Sequence, residues 1–523
     1  MKQSAGKIAE PKTAPKPHPK SKEAAAAAGP DRAEENKLFW KGMAFVLPGA
    51  LLLRTFYLLQ TLSIPLYKDF LLLDSEQYKA MGEKIAGGDW IAGTEAYSLA
   101  PLYSYFLAAL QSLVGTGNVN VFITQQGLGL LSILLTGLIA RACFGARAAI
   151  AASALIALYA PMALLELKLM ASSLALILSL ASILLLLRAR ERRSLVFSLL
   201  AGLVLGLTCL ARPNTLLFCP FAAFWLMWDG KAWSEAGRRL EWGRVPSVVL
   251  LTLGVLLAIS PVTLRNYHLE KELILISSQG GIAFYQANNE RSQGTYTKPP
   301  GFTGNAASQS SEEKTLAEKE MGHELTRKEV SRFWFGKGLD FISHNPGKAL
   351  GLVGKKCIRW LGSQELSTEY VLLIERRMTW TLWLMPIPFG LLLALAVAGL
   401  RRSGGGDARH ALLYLFIFSN FFSMLIFFVS SRYRLPAVPI LCAIAGAGLM
   451  EIFARYQNPR TKDKLLSWAI PCLAVLILSI IPWHKGYKTQ AYNQYYNLGN
   501  SYYDRGRYGQ AADYYRTALE ELD

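Results

Sequence analysis

The sequence predicts an all-α polytopic membrane protein with about eleven transmembrane helices. Three observations carry this. Of 523 residues, 52% are apolar and only 18% are charged, whereas a soluble chain carries roughly 25% charge. Many uncharged runs reach 17 to 23 residues, enough to cross a hydrocarbon core of ~30 Å at ~1.5 Å per residue. The basic residues then fall in alternate connecting segments, as the orientation of a multi-spanning chain requires. A soluble enzyme, a collagen-like chain, a disordered chain and a disulfide-stapled chain are excluded.

Residues 1–37 are rich in Lys, Pro and Ala and include the run Ala24 to Ala28. They cannot bury a core and read as a disordered cytoplasmic tail. They lack the layout of a signal peptide, so the first apolar run, about 38–61, is expected to stay as a span. Ten further spans are expected near 119–140, 148–165, 170–187, 194–210, 213–228, 245–264, 378–400, 410–429, 434–454 and 466–483.

The run from Tyr97 to Gly115 is also uncharged and long enough to span. Charge parity assigns it. With 97–115 in the interface and the N-terminus inside, Arg141 to Arg147, Arg188 to Arg193, Asp229 to Arg244, Arg401 to His410 and Arg455 to Lys464 all become cytoplasmic, in accord with the positive-inside rule. If 97–115 spans, all five move outside. The first arrangement puts the C-terminus outside. The expected organisation is a transmembrane module over 38–264, whose first outer loop, 62–118, carries interfacial helices; an outer loop domain over 265–377; transmembrane helices over 378–483; and a tail over 484–523.

In the tail, Tyr495, Leu498, Gly499, Tyr502, Gly506, Tyr508, Ala511, Tyr515 and Ala518 occupy the large and small positions of a tetratricopeptide helix pair. One repeat cannot bury its faces alone, so it must dock on the rest of the chain or on a protein partner. The alternative is a frayed amphipathic tail.

The net charge of +18 belongs to the orienting loops, and nucleic acid is not an expected partner. The six cysteines form no CxxC pair, and neither a metal cluster nor a disulfide framework is legible.

Two acids stand near the expected outer surface, where burial is costly. Asp74 follows the apolar stretch Phe70 to Leu73, and Glu166 lies in the short turn between the third and fourth spans. Outward carboxylates can supply a general base for an acceptor hydroxyl or amine, with a second group to orient it or a metal; solvated loop acids are the alternative, most of all for Glu76. Lys168, Arg212, Arg265, Arg432 and Arg434 sit at outer ends of spans, against the orientation bias. Snorkelling to headgroups would account for them. So would a ring of counter-charges around a lipid phosphate, for which arginine offers a bidentate fork. Cations placed there would stabilise a departing phosphate. Together these residues suggest transfer of a group from a lipid phosphate to an acceptor.

The motifs resemble those of the GT-C glycosyltransferases, in the family 39 branch of dolichyl-phosphate-mannose protein mannosyltransferases and bacterial aminoarabinose transferases of lipid A. The resemblance spans about residues 38–450. It rests on Asp74-Ser75-Glu76-Gln77-Tyr78, Gly87-Gly88-Asp89-Trp90, Pro101-Leu102-Tyr103, Leu210-Ala211-Arg212-Pro213-Asn214, Arg265-Asn266-Tyr267, Phe284-Tyr285 with Asn288-Asn289, and Arg432-Tyr433-Arg434-Leu435-Pro436, in that order. Relatives with appended tetratricopeptide repeats are also similar.

The resemblance implies an inverting transferase of a bacterial inner membrane, with a polyprenyl-phosphate sugar as donor and a protein, lipid or polysaccharide acceptor outside. Asp74 would be the base and Glu166 would assist. Arg265, Arg432, Arg434 and Lys168 would hold the donor phosphate, with Glu76, Tyr78, Arg212, Asn266 and Asn288 as further candidate substrate-site residues. Members of this fold work with or without a divalent metal, and no ligand spacing here decides between the two. The chain departs from the aminoarabinose branch at Leu99-Ala100-Pro101, where that branch carries a lysine. A flippase of polyprenyl-linked glycans and a non-catalytic membrane scaffold are the rival readings. Neither would need Asp74.

Overall fold

In the computed structural model, the described residues are 32–64, 71, 74–228, 240–302, 306–367, 370–402, 407–459, 465–482 and 487–521. Of the expected disordered tail 1–37, residues 1–31 lie outside them, as does most of the basic segment 229–244, whereas 32–37 are already helical, in the first turns of Arg32–Ser63. Among the described residues the regular elements are helices.

Six helices are long and apolar enough to cross a membrane. In the numbering used here, α1 (Arg32–Ser63), α4 (Asn118–Phe144) and α7 (Ser172–Arg192) belong to the first half. α10 (Val245–Glu270), α17 (Ala408–Ile426) and α19 (Val438–Gln457) complete the six. Shorter apolar helices accompany them: α8 (Leu195–Ala211), α9 (Phe218–Met227), α16 (Phe389–Arg402) and α20 (Leu465–Ile480). The run 148–165 is broken at Leu158 into α5 (Ala146–Ala157) and α6 (Ala160–Glu166), with Pro161 in the first turn of α6. α3 (Leu102–Val114) has 13 residues, a length of only about 20 Å, short of the ~30 Å that a span requires.

Lipid offers no hydrophobic drive between apolar helices, so close packing of small residues holds them. A Cβ on Gly202 of α8 would stand 2.1 Å from the Leu251 carbonyl oxygen of α10, and one on Gly254 would meet Leu199 in return. Gly446 brings α19 equally close to Ala148 of α5.

The two ends of the bundle differ. At one end, Arg409 donates to the Ala142 carbonyl, and Arg190 donates to the carbonyls of Trp225 and Trp228. The basic segments around 141, 188–193 and 407–410 therefore meet there. At the other end lie α2 (Asp74–Ala86), α3 and a helical loop domain of α11 (Gly280–Ala287), α12 (Ala306–Met321), α13 (Arg327–His344) and α14 (Pro346–Leu361). That domain has its own core of Ile282, Phe302, Ala317, Leu325, Val330 and Trp334. Its α13 starts with a capping box, in which Thr326 and Glu329 satisfy each other's backbone donors. The short helix α15 (Leu372–Met378) leads back to the bundle, and the four-residue α18 (Ser431–Arg434) links α17 to α19.

The tail forms a helix pair, α21 (Tyr487–Tyr503) and α22 (Tyr508–Glu520), turning at Gly506 with φ +70°. Ala491, Tyr495, Leu498, Tyr502, Ala511 and Ala518 are buried, and Gly499 lies against the Tyr515 ring, where a Cβ would clash.

Candidate active site

A cavity of about 500 Å³ opens between the bundle and the loop domain. Its walls come from segments far apart in sequence: Asp74 and Tyr78 of α2, Ser98 to Ala100, Met170 and Ala171, Ala211 to Asn214, α11 residues including Gln286, and Ser423 to Tyr433 in part. The ends of α8 and α17 and the connections at 98–100 and 170–171 meet in this wall.

Asp74 is the first residue of α2, where the helix N-terminus favours negative charge. Its Oδ2 accepts from Arg432 Nη1 at 2.7 Å. The Asp74 and Arg432 side chains are 25% and 12% exposed, so the pair is sheltered yet reachable from the cavity. Arg212 closes α8 and is followed by Pro213, which ends the helix. The Arg212 Nη2 donates to Ser172 Oγ at 2.8 Å, and its guanidinium lies 4.9 Å from the Tyr433 ring centre. Its buried Nε has no partner among the described residues. Gln286 is also buried, lines the same cavity, and has an amide nitrogen with no partner among the described residues. Unpaired buried polar groups cost about 1–3 kcal/mol each, a cost that a bound ligand can offset. Burial and nearby Asp74 push the Tyr78 phenol well above its ordinary pKa, so it stays a neutral hydroxyl.

Of the eleven candidate residues, the structure brings Asp74, Tyr78, Arg212 and Arg432 together. The others are placed differently, and each for a local reason. Glu166 is fully buried in a two-pronged pair with Arg54, at 2.8 and 2.9 Å, and Gly129 of α4 leaves the room that this pair fills. It does not line the cavity. Lys168 turns away to Glu375, at 3.2 Å, and lies over the Tyr370 ring.

Arg434 gives its donors to the Trp360 and Gly362 carbonyls and to Glu365. Arg265 donates to the carbonyls of Ile91, Ala92, Gly93 and Glu95 and stacks on Tyr97. Asn266 ties Tyr97 to Ile274 and Ile276. Asn288 accepts from Lys356 and donates to the Ile426 carbonyl. Glu76 is exposed on α2. Arg434, Arg265, Asn266 and Asn288 thus brace segments around the cavity.

Gln286 was missed in the sequence because a glutamine in a mixed polar stretch has no pattern. Arg54 did carry a signal. A lone charge within an apolar run needs a partner, and Glu166 is that partner. Among the described residues no group of three or more His, Cys, Asp or Glu side chains forms a metal-ligand set.

The fold overlays, with low similarity, on several solved structures. An oligosaccharyltransferase of Archaeoglobus fulgidus, tethered to an acceptor peptide, is 13% identical with a TM-score of 0.44, over 90% of this chain and 59% of that one. ArnT from Cupriavidus metallidurans, bound to undecaprenyl phosphate, is 14% identical with a TM-score of 0.44, over 92% of this chain and 75% of that one. The chain thus spans about 59% of the length of the oligosaccharyltransferase it overlays. No curated protein sequence matches it. Residues 98–264 match the family described as dolichyl-phosphate-mannose-protein mannosyltransferase, a stretch that runs from the loop before α3 into α10 and supplies the cavity wall from Ser98 to Asn214.

Proposed function

We propose that this multi-pass membrane protein is a glycosyltransferase that moves a sugar from a polyprenyl-phosphate donor to an acceptor hydroxyl or amine. The observation that carries this reading is the Asp74–Arg432 pair beside Arg212 in one sheltered cavity. A carboxylate there can take a proton while fixed cations receive a phosphate. The family match over 98–264 supports the same chemistry.

In the reaction, the acceptor oxygen or nitrogen attacks the anomeric carbon. The bond from that carbon to the phosphate oxygen breaks, and its electron pair leaves with the polyprenyl phosphate. Asp74 takes the acceptor proton. Arg432 and Arg212 face the charge that grows on the leaving phosphate, and such preorganised charge lowers the barrier. A single displacement inverts the anomeric centre. The apolar wall formed by Met424, Phe427 and Phe428 suits the first prenyl units, and the Gln286 amide, able both to donate and to accept, suits a sugar hydroxyl. Glu166, held by Arg54 and absent from the cavity wall, takes no part in this step.

The end of the bundle where basic segments gather would face the cytoplasm, and the cavity, the loop domain 265–377 and the tail would then face outward. The acceptor would arrive from that side, across the loop domain.

The test uses purified protein and a panel of labelled polyprenyl-phosphate sugars (hexose, pentose and N-acetylhexosamine) with an envelope fraction as acceptor. Turnover of at least one donor is expected in the wild type and loss of it in Asp74→Asn. No turnover of any donor by the wild type, or wild-type turnover by Asp74→Asn, overturns the reading.

A further inference from the structure

Behind the cavity, an unbroken series of buried contacts runs from the C-terminal helix pair to Asp74. Gln494 of α21 is 1% exposed. Its Oε1 accepts from the Val371 N–H at 2.7 Å, and its Nε2 donates to Glu375 Oε1 at 3.0 Å. Glu375, fully buried on α15, receives Lys168 Nζ at 3.2 Å. The Lys168 ammonium lies 4.4 Å from the centre of the Tyr370 ring. The Tyr370 hydroxyl is 3.3 Å from Ser75 Oγ, and Ser75 is the neighbour of Asp74. Outside this series, Arg377 donates to Glu521 at 2.6 Å, which ties the far end of the pair to α15.

We propose that the C-terminal helix pair is a positioning element of the site: Gln494 and Glu375 fix Lys168 and Tyr370, which hold the start of α2 and therefore Asp74. The proposal rests on Asp74 being the base. Three physical points support it. A buried ammonium and carboxylate need further hydrogen bonds to offset their desolvation, and the Gln494 amide supplies one to Glu375. The amide also satisfies the Val371 N–H, so the segment 370–375 is completed only when α21 is docked. The same lysine carries the carbonyl that receives Gln125 Nε2 at 2.8 Å, so it also anchors the turn leading to Met170 and Ala171 in the cavity wall. The helix pair thus does for this chain what an outer support does for a catalytic group: it removes the freedom that would let the base drift.

A double-mutant cycle measures the coupling along this series. Gln494→Leu and Tyr370→Phe are assayed singly and together, with whichever polyprenyl-phosphate sugar of the panel turns over. Each single change is expected to lower kcat about fivefold, the equivalent of one hydrogen bond, with donor KM unchanged because the cavity cations are untouched. The double variant is expected to fall no further than the weaker single. Gln494→Met keeps the side-chain length and replaces Gln494→Leu if the latter is not recovered in folded form. A double variant reduced about 25-fold, the product of two independent effects, overturns the proposal, as do wild-type kcat values for both singles. In either case an inactive Asp74→Asn leaves the transferase reading standing. An active Asp74→Asn removes that reading itself, so the two failures are distinguishable.

Discussion

Asp74 and Arg432 are 358 residues apart in sequence, yet Arg432 Nη1 reaches Asp74 Oδ2 at 2.7 Å. One partner opens α2, and the other lies in α18, the link between α17 and α19. Their meeting places a carboxylate and a guanidinium together in one cavity wall.

This pair gives the first prediction. Asp74→Asn keeps the shape and the hydrogen bond to Arg432 but removes the basic oxygen. Its kcat should fall by about 10²–10⁴-fold, the usual worth of a general base, with donor KM within a few fold. Arg432→Lys keeps the charge but loses the fork. It should lower kcat by at least about tenfold. Steady-state kinetics with a labelled polyprenyl-phosphate sugar checks both.

Arg212 and Gln286 should act on binding. Arg212→Met removes a buried cation from the cavity, and Gln286→Leu removes an amide of similar size. Loss of one hydrogen bond from each to a ligand costs about 1–3 kcal/mol where a charge is involved and less where it is not. Arg212→Met should therefore weaken undecaprenyl phosphate by about 10–100-fold, as measured by native mass spectrometry. Gln286→Leu should leave that affinity unchanged and raise the KM of the sugar-bearing donor alone.

Arg54 and Glu166 make a structural prediction. Removing one member of a buried pair leaves an uncompensated charge and costs about 3–5 kcal/mol, whereas replacing both with apolar groups is often neutral. Arg54→Met and Glu166→Leu should each reduce the thermal stability of the detergent-extracted protein. The double variant should recover most of it. Equal instability of all three would show that the pair is not the cause.

Glu313 predicts a pH effect in the loop domain. It is buried beside the Trp334 cluster, and desolvation lifts its carboxyl to about 8, against the opposing pull of Arg327. In the unfolded chain the group titrates near its ordinary value of 4.5. Between these values the folded state holds more protons, so stability is greatest below about 4.5 and falls as pH rises through about 8. Limited proteolysis of the loop domain should therefore speed up from pH 5 to pH 9. Glu313→Gln, neutral throughout, should flatten the profile.

The sequence by itself determined that the chain is a helical membrane protein, where its apolar runs lie and which acids and cations stand against the pattern. These properties are local: a run of uncharged residues must satisfy its own backbone hydrogen bonds in lipid, so it forms a helix whatever surrounds it. Asp74, Arg212 and Arg432 were legible for the same reason, since each breaks the apolar or charge pattern at a helix end; Tyr78 was legible only through the motif it shares with the family resembled. Only the tertiary structure decided which of the candidate charges face the cavity. Arg434, Arg265 and Lys168 look like Arg432 in sequence, yet they are engaged by Glu365, the 91–95 carbonyls and Glu375. Partner choice between charges 112 residues apart, as in Arg54 and Glu166, or 207 apart, as in Lys168 and Glu375, depends on how the helices pack. No local pattern records it.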